Sequence, residues 1–174
     1  AMYSMNTSGS GSLIKHKERT DPSSPSLPSL MFAPGRILSI RKNRVAVVVD
    51  LNNANAPVLT PSGRPIRDRQ YGNATVLANG HVWMNGGSST GNTLAGVALD
   101  SELWNPATGT WLAAASATRS RLYHSASMLL PDGTVITAGG GAPGPVNQLN
   151  GEIYYPPYLF KKDGSGQFAA RPKI

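Results

Sequence analysis

Short apolar runs separated by turn-forming residues dominate the chain after residue 44. The run at residues 45–51 is rich in β-branched residues and ends in a polar turn segment, which is typical of a buried strand. Two later pairs of apolar runs flank Ala78-Asn79-Gly80 and Pro131-Asp132-Gly133. Asn-Gly and Asp-Gly favour tight hairpins, because Gly adopts positive φ without strain. The pattern predicts a β-rich chain with two hairpins at these turns and little helix.

The two hairpins belong to an internal repeat of about 50 residues. The segment RQYGNATVLANG aligns with the later segment RLYHSASMLLPDG if one residue is inserted in the second copy. Both copies continue with an apolar run, a Gly pair and a Glu-apolar-aromatic-x-Pro segment. The matched positions include Arg69 with Arg121, Gly86-Gly87 with Gly139-Gly140, and Glu102 with Glu152.

This repeat resembles the kelch repeat of β-propellers, in which each unit forms one four-stranded blade. The segment Thr108-Gly109-Thr110-Trp111 supplies the Trp that kelch units place after a turn. Two repeats and the last strand of an earlier one are visible, whereas a propeller closes with about four to eight blades. We therefore predict an all-β fold of kelch-type blades in an incomplete propeller, either a piece of a larger protein or the product of a damaged reading frame.

Composition divides the chain near residue 30. Residues 1–30 are rich in Ser, Gly and Pro and lack periodicity, which predicts a disordered or non-homologous leader. They contain no apolar run of the length found in export signals, so no signal peptide is predicted in this chain. Residues 31–167 are predicted to hold the blades, about two and a partial third.

The charge distribution excludes some classes of partner. The net charge is +7, but residues 1–44 hold seven basic and two acidic side chains, and the remainder holds nine and seven. The body therefore lacks the basic stripe that nucleic-acid binding requires.

No apolar stretch approaches the roughly 18 residues of a membrane span. The chain has no Cys, which excludes a disulfide or thiolate site within these residues.

The candidate chemistry lies at Tyr123 and His124, where the first strand of the second hairpin begins. A phenol oxygen and an imidazole nitrogen one backbone step apart can both bind copper. Neighbouring residues of a regular strand point to opposite faces, so shared binding of one metal requires an irregular strand start. The alternative is a pair of hydrogen-bonding rings without a metal.

Other conspicuous residues are predicted to be structural. The aromatic residues are expected to pack between blades, and no helix-forming segment follows the Gly pairs, as a phosphate site would require. His81 is expected to be an exposed turn residue. The aromatic set is Tyr71, Trp83, Trp104 and Trp111.

Three segments carry a family resemblance: RLYHSASMLLPDGTVITAGGG, NGEIYYPPYLF and ARPKI. Together they resemble the last blades of the galactose oxidase and glyoxal oxidase group of copper radical oxidases, over roughly residues 31–174. The resemblance implies that Tyr123 is an axial copper ligand and candidate proton acceptor, and that His124 is an equatorial ligand. It also implies that residues 168–174 open a truncated C-terminal immunoglobulin-like domain.

The same resemblance implies an activity for the complete protein. It would oxidise a primary alcohol or aldehyde, of a small molecule or carbohydrate, while reducing O2 to H2O2 with one bound copper and a Tyr radical. In that family the radical Tyr is linked to a Cys and a further His comes from the C-terminal domain, and neither is present here. The site is therefore incomplete, and this chain alone is expected to be inactive. A secreted or cell-envelope location is implied as well.

Two other functions remain open at this stage. A non-catalytic kelch propeller could bind a protein or glycan through its loops. Alternatively, the chain has no activity of its own, and its exposed sheet edges make it aggregation-prone. The sequence leaves the substrate, the blade number and the oligomeric state undetermined.

Overall fold

The computed structural model describes residues 3–16, 26–52 and 57–171. Within these ranges the regular structure is antiparallel β-strand, apart from single 3-10 turns at Lys42–Arg44 and Pro157–Leu159. The prediction of an all-β fold is confirmed. In the same ranges, no helix has the length and apolar character needed to cross a lipid bilayer.

Three sheets follow one another along the chain, after a small two-stranded ribbon. Within each sheet, strands adjacent in sequence are hydrogen-bonded neighbours. The ribbon comprises β1 (Tyr3–Asn6) and β2 (Ser12–Lys15). The first sheet comprises β3 (Ser29–Ala33), β4 (Arg36–Arg41), β5 (Val45–Asp50) and β6 (Val58–Pro61). The second comprises β7 (Gln70–Val76), β8 (Val82–Ser88), β9 (Asp100–Trp104) and β10 (Trp111–Ser116). The third comprises β11 (Ala126–Leu129), β12 (Val135–Ala138) and β13 (Gly151–Tyr154).

Both predicted hairpins are present. The β7–β8 hairpin turns at Gly80 with φ of 81°, and the β11–β12 hairpin turns at Gly133 with φ of 83°. The first sheet is more complete than the partial third blade that the sequence predicted, since it has four strands. Its β3–β4 turn uses Gly35, at φ of 68°, without the Asn-Gly or Asp-Gly pair that marked the other two.

The prediction of a disordered leader at residues 1–30 does not hold for its described part. Strands β1 and β2 pair in register from Tyr3 opposite Lys15 to Asn6 opposite Ser12. Composition suggested disorder, but Gly9 and Gly11 adopt positive φ and reverse the chain between two short strands. The boundary at residue 30 falls inside β3. Residues 17–25 lie outside the described ranges, and the non-homologous origin of the leader stays a prediction.

Apolar side chains hold the sheets face to face. The first core lies between the first and second sheets, and the second between the second and third. In the second core, Trp83 and Tyr154 stack with ring centroids 4.4 Å apart and planes 5° from parallel. The prediction that the Trp residues pack between sheets is thus confirmed for Trp83 and Trp104. The buried members of the first core are Leu27, Leu38, Ile40, Ala46, Val48, Val82, Met84 and Trp104, and those of the second are Leu77, Trp83, Val135 and Tyr154.

Side-chain hydrogen bonds cross the second interface, and two of them join equivalent positions of the two repeats. Three side-chain hydrogen bonds of 2.6 to 2.8 Å each join residues 52 positions apart in sequence. The first strands of the two copies, β7 and β11, therefore lie against each other in register. The pairs are Asn73 with Ser125, Thr75 with Ser127, and Asn85 with Thr137.

A buried ion pair joins the strands of the second sheet. Arg69 Nε lies 2.7 Å from Glu102 Oε1, and neither side chain is exposed. The remaining nitrogens of Arg69 donate to the carbonyl oxygens of Gly86, at 2.9 Å, and Asp100, at 2.6 Å. One guanidinium thus links the start of β7 with β8 and β9. Burial lowers the pKa of Arg69, and the charge of Glu102 opposes that shift.

The third sheet repeats this ion pair. Arg121 Nη2 lies 3.0 Å from Glu152 Oε2, and Nη1 donates to the carbonyl oxygens of Gly139 and Asn150. Each Glu also accepts a backbone N–H from the segment that precedes its sheet: Ile66 donates to Glu102 and Thr118 to Glu152. In each sheet, the Glu carboxylate therefore holds the segment that precedes the first strand against the third strand.

The first Gly pair, Gly86-Gly87, allows Arg69 and Arg121 to lie close to strand β8. A Cβ at Gly86 would lie 2.5 Å from the carbonyl oxygen of Arg121, and one at Gly87 would lie 2.8 Å from the Cα of Arg69. The Gly87 N–H donates to the Arg121 carbonyl at 2.6 Å. The prediction that these glycines serve backbone packing is confirmed.

Replacing Glu102 by Gln should lower the free energy of unfolding by about 3–5 kcal/mol, because it leaves the buried Arg69 charge without its counterion. Urea unfolding followed by circular dichroism measures the change. Asp50→Asn is the matched control, since Asp50 forms an exposed pair with Arg36 at 3.8 Å and should cost less than about 1 kcal/mol. A similar small loss in both variants would contradict a structural role for the buried pair.

The buried Tyr154 makes the stability of the fold depend on pH in the alkaline range. Burial raises its pKa to about 12, so the folded state holds this proton more tightly than the unfolded chain does. Its stabilising contribution is complete below about pH 10 and is lost as the pH rises towards 12. Tyr154→Phe should flatten the fall in stability across this window, measured by urea unfolding at each pH. Exposed Tyr155→Phe controls for loss of a hydroxyl, and equal profiles for the two variants would refute the assignment.

Candidate metal centre

Tyr123 and His124 lie in a tight turn that precedes β11. The Ser125 N–H donates to the Leu122 carbonyl at 2.9 Å and closes the turn. His124 has φ of 65°, in the left-handed region. A residue other than Gly in a sparsely populated region costs roughly 1–3 kcal/mol and persists only where the surroundings enforce it.

This turn places the two rings on the same side of the chain. The ring centroids of Tyr123 and His124 are 3.7 Å apart, and their planes are inclined by 29°. The irregular strand start that a shared metal requires is therefore present. Both side chains are exposed, 38% in the case of Tyr123, so an ion or small molecule can reach them.

A third aromatic ring, that of Tyr71, lies against this pair. Tyr71 has φ of 61°, and its ring centroid is 4.8 Å from that of Tyr123, at an inclination of 58°. Its N–H donates to the carbonyl of Ser26 at 2.6 Å. The sequence interpretation assigned Tyr71 to packing between blades. The repeat alignment of Tyr71 with Tyr123 was the signal that the two rings would meet at the sheet interface.

The second Gly-rich segment, residues 139–141, packs against the turn that carries Tyr123 and His124. Gly139, Gly140 and Gly141 all have positive φ. The Gly141 N–H donates to the Tyr123 carbonyl at 2.7 Å, and a Cβ at Gly140 would lie 2.9 Å from the Leu122 nitrogen. A side chain at Gly140 would push the turn away, so this glycine serves the candidate site as well as the sheet.

Tyr123 and His124 are the candidate metal donors predicted at this turn. Within the described ranges, no group of three or more His, Cys, Asp or Glu side chains is arranged to hold a metal. His81 bonds to Asn79 in the β7–β8 turn, and His16 bonds to Ser4 in the ribbon. Cu(II) prefers a tetragonal set of about four nitrogen and oxygen ligands. Tyr123 and His124 fit as one oxygen and one nitrogen of such a set without completing it.

Comparison with known sequences gives a partial match. No protein-family model matches the chain. Two galactose oxidase sequences from Gibberella zeae are 33% identical to it over 110 residues, which is 61% of this chain. The chain spans 16% of the length of these curated relatives.

Comparison with solved structures covers more of the chain. A fungal alcohol oxidase of the AA5 family, in complex with copper, superposes with a TM-score of 0.83 at 27% sequence identity. The match covers 98% of this chain and 39% of that oxidase. The resemblance to the galactose oxidase group, given by the sequence segments around Tyr123, is thus confirmed.

Proposed function

We propose that this chain, which is similar to galactose oxidase and to a copper-bound fungal alcohol oxidase, contributes two ligands to the centre of a copper radical oxidase. The observation that carries the proposal is the left-handed turn at His124, which brings the rings of Tyr123 and His124 onto one side. In a regular strand the two side chains would point to opposite faces, so this turn is what allows both to reach one metal ion.

Each side chain has a distinct role in this proposal. The Tyr123 phenol oxygen and a His124 ring nitrogen would hold copper, which would supply one-electron redox chemistry at this turn. Tyr123 also accepts the proton of the substrate hydroxyl at its phenol oxygen. Tyr71 packs against Tyr123 and restricts the positions that its ring can take.

The substrate class is a primary alcohol or aldehyde, of a small molecule or a carbohydrate, with O2 reduced to H2O2. The names of the similar proteins, galactose oxidase and alcohol oxidase, support this class. The full protein would be secreted or held at the cell envelope. Its sheets would form a kelch-type propeller, with residues 168–174 opening an immunoglobulin-like domain. Residues 172–174 lie outside the described ranges.

The chain alone should not turn over substrate. It has no Cys with which a radical Tyr could be cross-linked, and its described residues supply two donors to copper. The remaining ligands would have to come from further sheets and a C-terminal domain. Copper binding by residues 1–174 should accordingly be weak, and peroxide release should be absent.

Copper titration of the chain tests the assignment of His124. His124→Ala should weaken Cu(II) binding at least about tenfold, because even supporting residues of metal sites cost that much when removed. Electron paramagnetic resonance and calorimetry measure the ligand set and the affinity. His81→Ala is the matched control, since His81 also lies at a hairpin turn but away from the pair. Equal effects of the two variants, or no copper binding, would favour the non-catalytic propeller that binds a protein or glycan.

Tyr123 is tested in a longer chain that supplies the other ligands and releases peroxide from a primary alcohol. Tyr123→Phe should lower kcat about 10²–10⁴-fold, the contribution of a positioned proton acceptor, and leave copper bound through the remaining ligands. A coupled peroxide assay and metal analysis measure both quantities. Tyr155→Phe, at an exposed position near the edge of the third sheet, should change neither. An unchanged rate in Tyr123→Phe would reject its role in proton transfer.

A further inference from the structure

The side chain of Asn92 reaches from the β8–β9 loop of the second sheet into the turn that carries Tyr123 and His124. Its Oδ1 accepts the backbone N–H of Tyr123 at 3.3 Å. Its Nδ2 donates to the carbonyl oxygens of Gly141, at 3.2 Å, and Pro143, at 3.3 Å. The Gly141 N–H in turn donates to the Tyr123 carbonyl. Asn92, Tyr123 and Gly141 therefore form a closed ring of three hydrogen bonds.

This ring fixes both backbone polar groups of Tyr123, the residue directly before the left-handed His124. If the turn relaxed towards a regular strand, the two side chains would point to opposite faces. The strained conformation needs outside support, and Asn92 supplies it from a different sheet. The partner segment is itself closely packed, because a Cβ at Gly141 would overlap the carbonyl oxygen of Val146.

Hydrogen bonds within the β8–β9 loop restrict the loop that carries Asn92. Ser88, which is fully buried, donates through Oγ to the Ala95 carbonyl at 2.8 Å and accepts the Thr90 N–H at 3.0 Å. Thr90 and Thr93 bond through their hydroxyls at 2.7 Å. These bonds span the loop on both sides of Asn92, so its side chain is held in place before any metal binds.

We propose that Asn92 is a positioning residue for the Tyr123–His124 pair, an inference whose consequence for copper rests on the proposed function. The amide is specifically suited to this role, because it accepts at one atom and donates at the other. Asp keeps the acceptor for the Tyr123 N–H but loses the donor to Gly141 and Pro143. Ala loses both.

The experiment uses the full chain with three substitutions. Asn92→Ala should reduce the nuclear Overhauser effects between the Tyr123 and His124 rings and weaken Cu(II) binding about 10–100-fold, as for other residues that orient metal ligands. Asn92→Asp should give intermediate values. Asn105→Ala is the matched control: Asn105 Oδ1 also accepts a loop N–H, that of Ala107 at 2.9 Å, but at the β9–β10 turn. It should leave the ring contacts and copper affinity unchanged.

The outcomes separate this inference from the function on which it draws. If Asn92→Ala retains the ring contacts and the copper spectrum while His124→Ala loses copper, the positioning role is overturned and the proposed function stands. If Asn92→Ala loses the contacts but copper binding is indifferent to His124→Ala, the positioning of the turn is supported and the copper assignment fails. If Asn92→Ala does not fold, Asn92→Asp decides, because unchanged ring contacts in it would overturn the need for the amide donor.

Discussion

The buried Arg–Glu pair and its copy determine where the other parts of the structure lie. Taking a guanidinium and a carboxylate out of water costs several kcal/mol per ion, which is recovered only when their hydrogen bonds are satisfied. Arg69 meets this condition by bonding to Glu102 and to the carbonyls of two strands. Arg121 forms the corresponding pair with Glu152 in the third sheet, two residues before Tyr123, through its Nη2, while its buried Nε has no partner among the described residues. The Tyr123–His124 turn therefore follows directly after a residue whose position is fixed by a buried ion pair.

The same anchors bring two sheets close enough for their tyrosines to meet. The Arg121 carbonyl lies directly against the Gly86-Gly87 segment of the second sheet, a distance that no side chain would allow. That approach places Tyr71 beside Tyr123. The two copies then differ at one decisive position, because the residue after Tyr71 is Gly and the residue after Tyr123 is His. The frame shared by the two repeats therefore presents an imidazole in one repeat alone.

The sequence predicted those features that are encoded locally. Asn79-Gly80 and Asp132-Gly133 mark their hairpins through φ values that Gly adopts freely. The ribbon at β1 and β2 was missed because its Ser and Gly residues have the composition of disorder, and pairing of two short strands leaves no periodic signal. The roles of Tyr71 and Asn92 were missed because their partners lie 52 and 31 positions away. The copper assignment came from resemblance, since a Tyr-His pair alone fits a metal-free turn equally well.

Long-range support also links the stability of the fold to the geometry of the ligands. The strain at His124 is balanced by contacts from Asn92 and Gly141, and those contacts exist only while the second and third sheets stay packed. Three side-chain hydrogen bonds between the two sheets, together with the Trp83–Tyr154 stack, hold that interface. A metal that binds the folded pair alone would favour the packed sheets by mass action. Sheet packing and the placement of the Tyr123 and His124 rings are therefore coupled in one equilibrium, so a substitution deep in the interface would alter the proposed copper binding without contacting either ring.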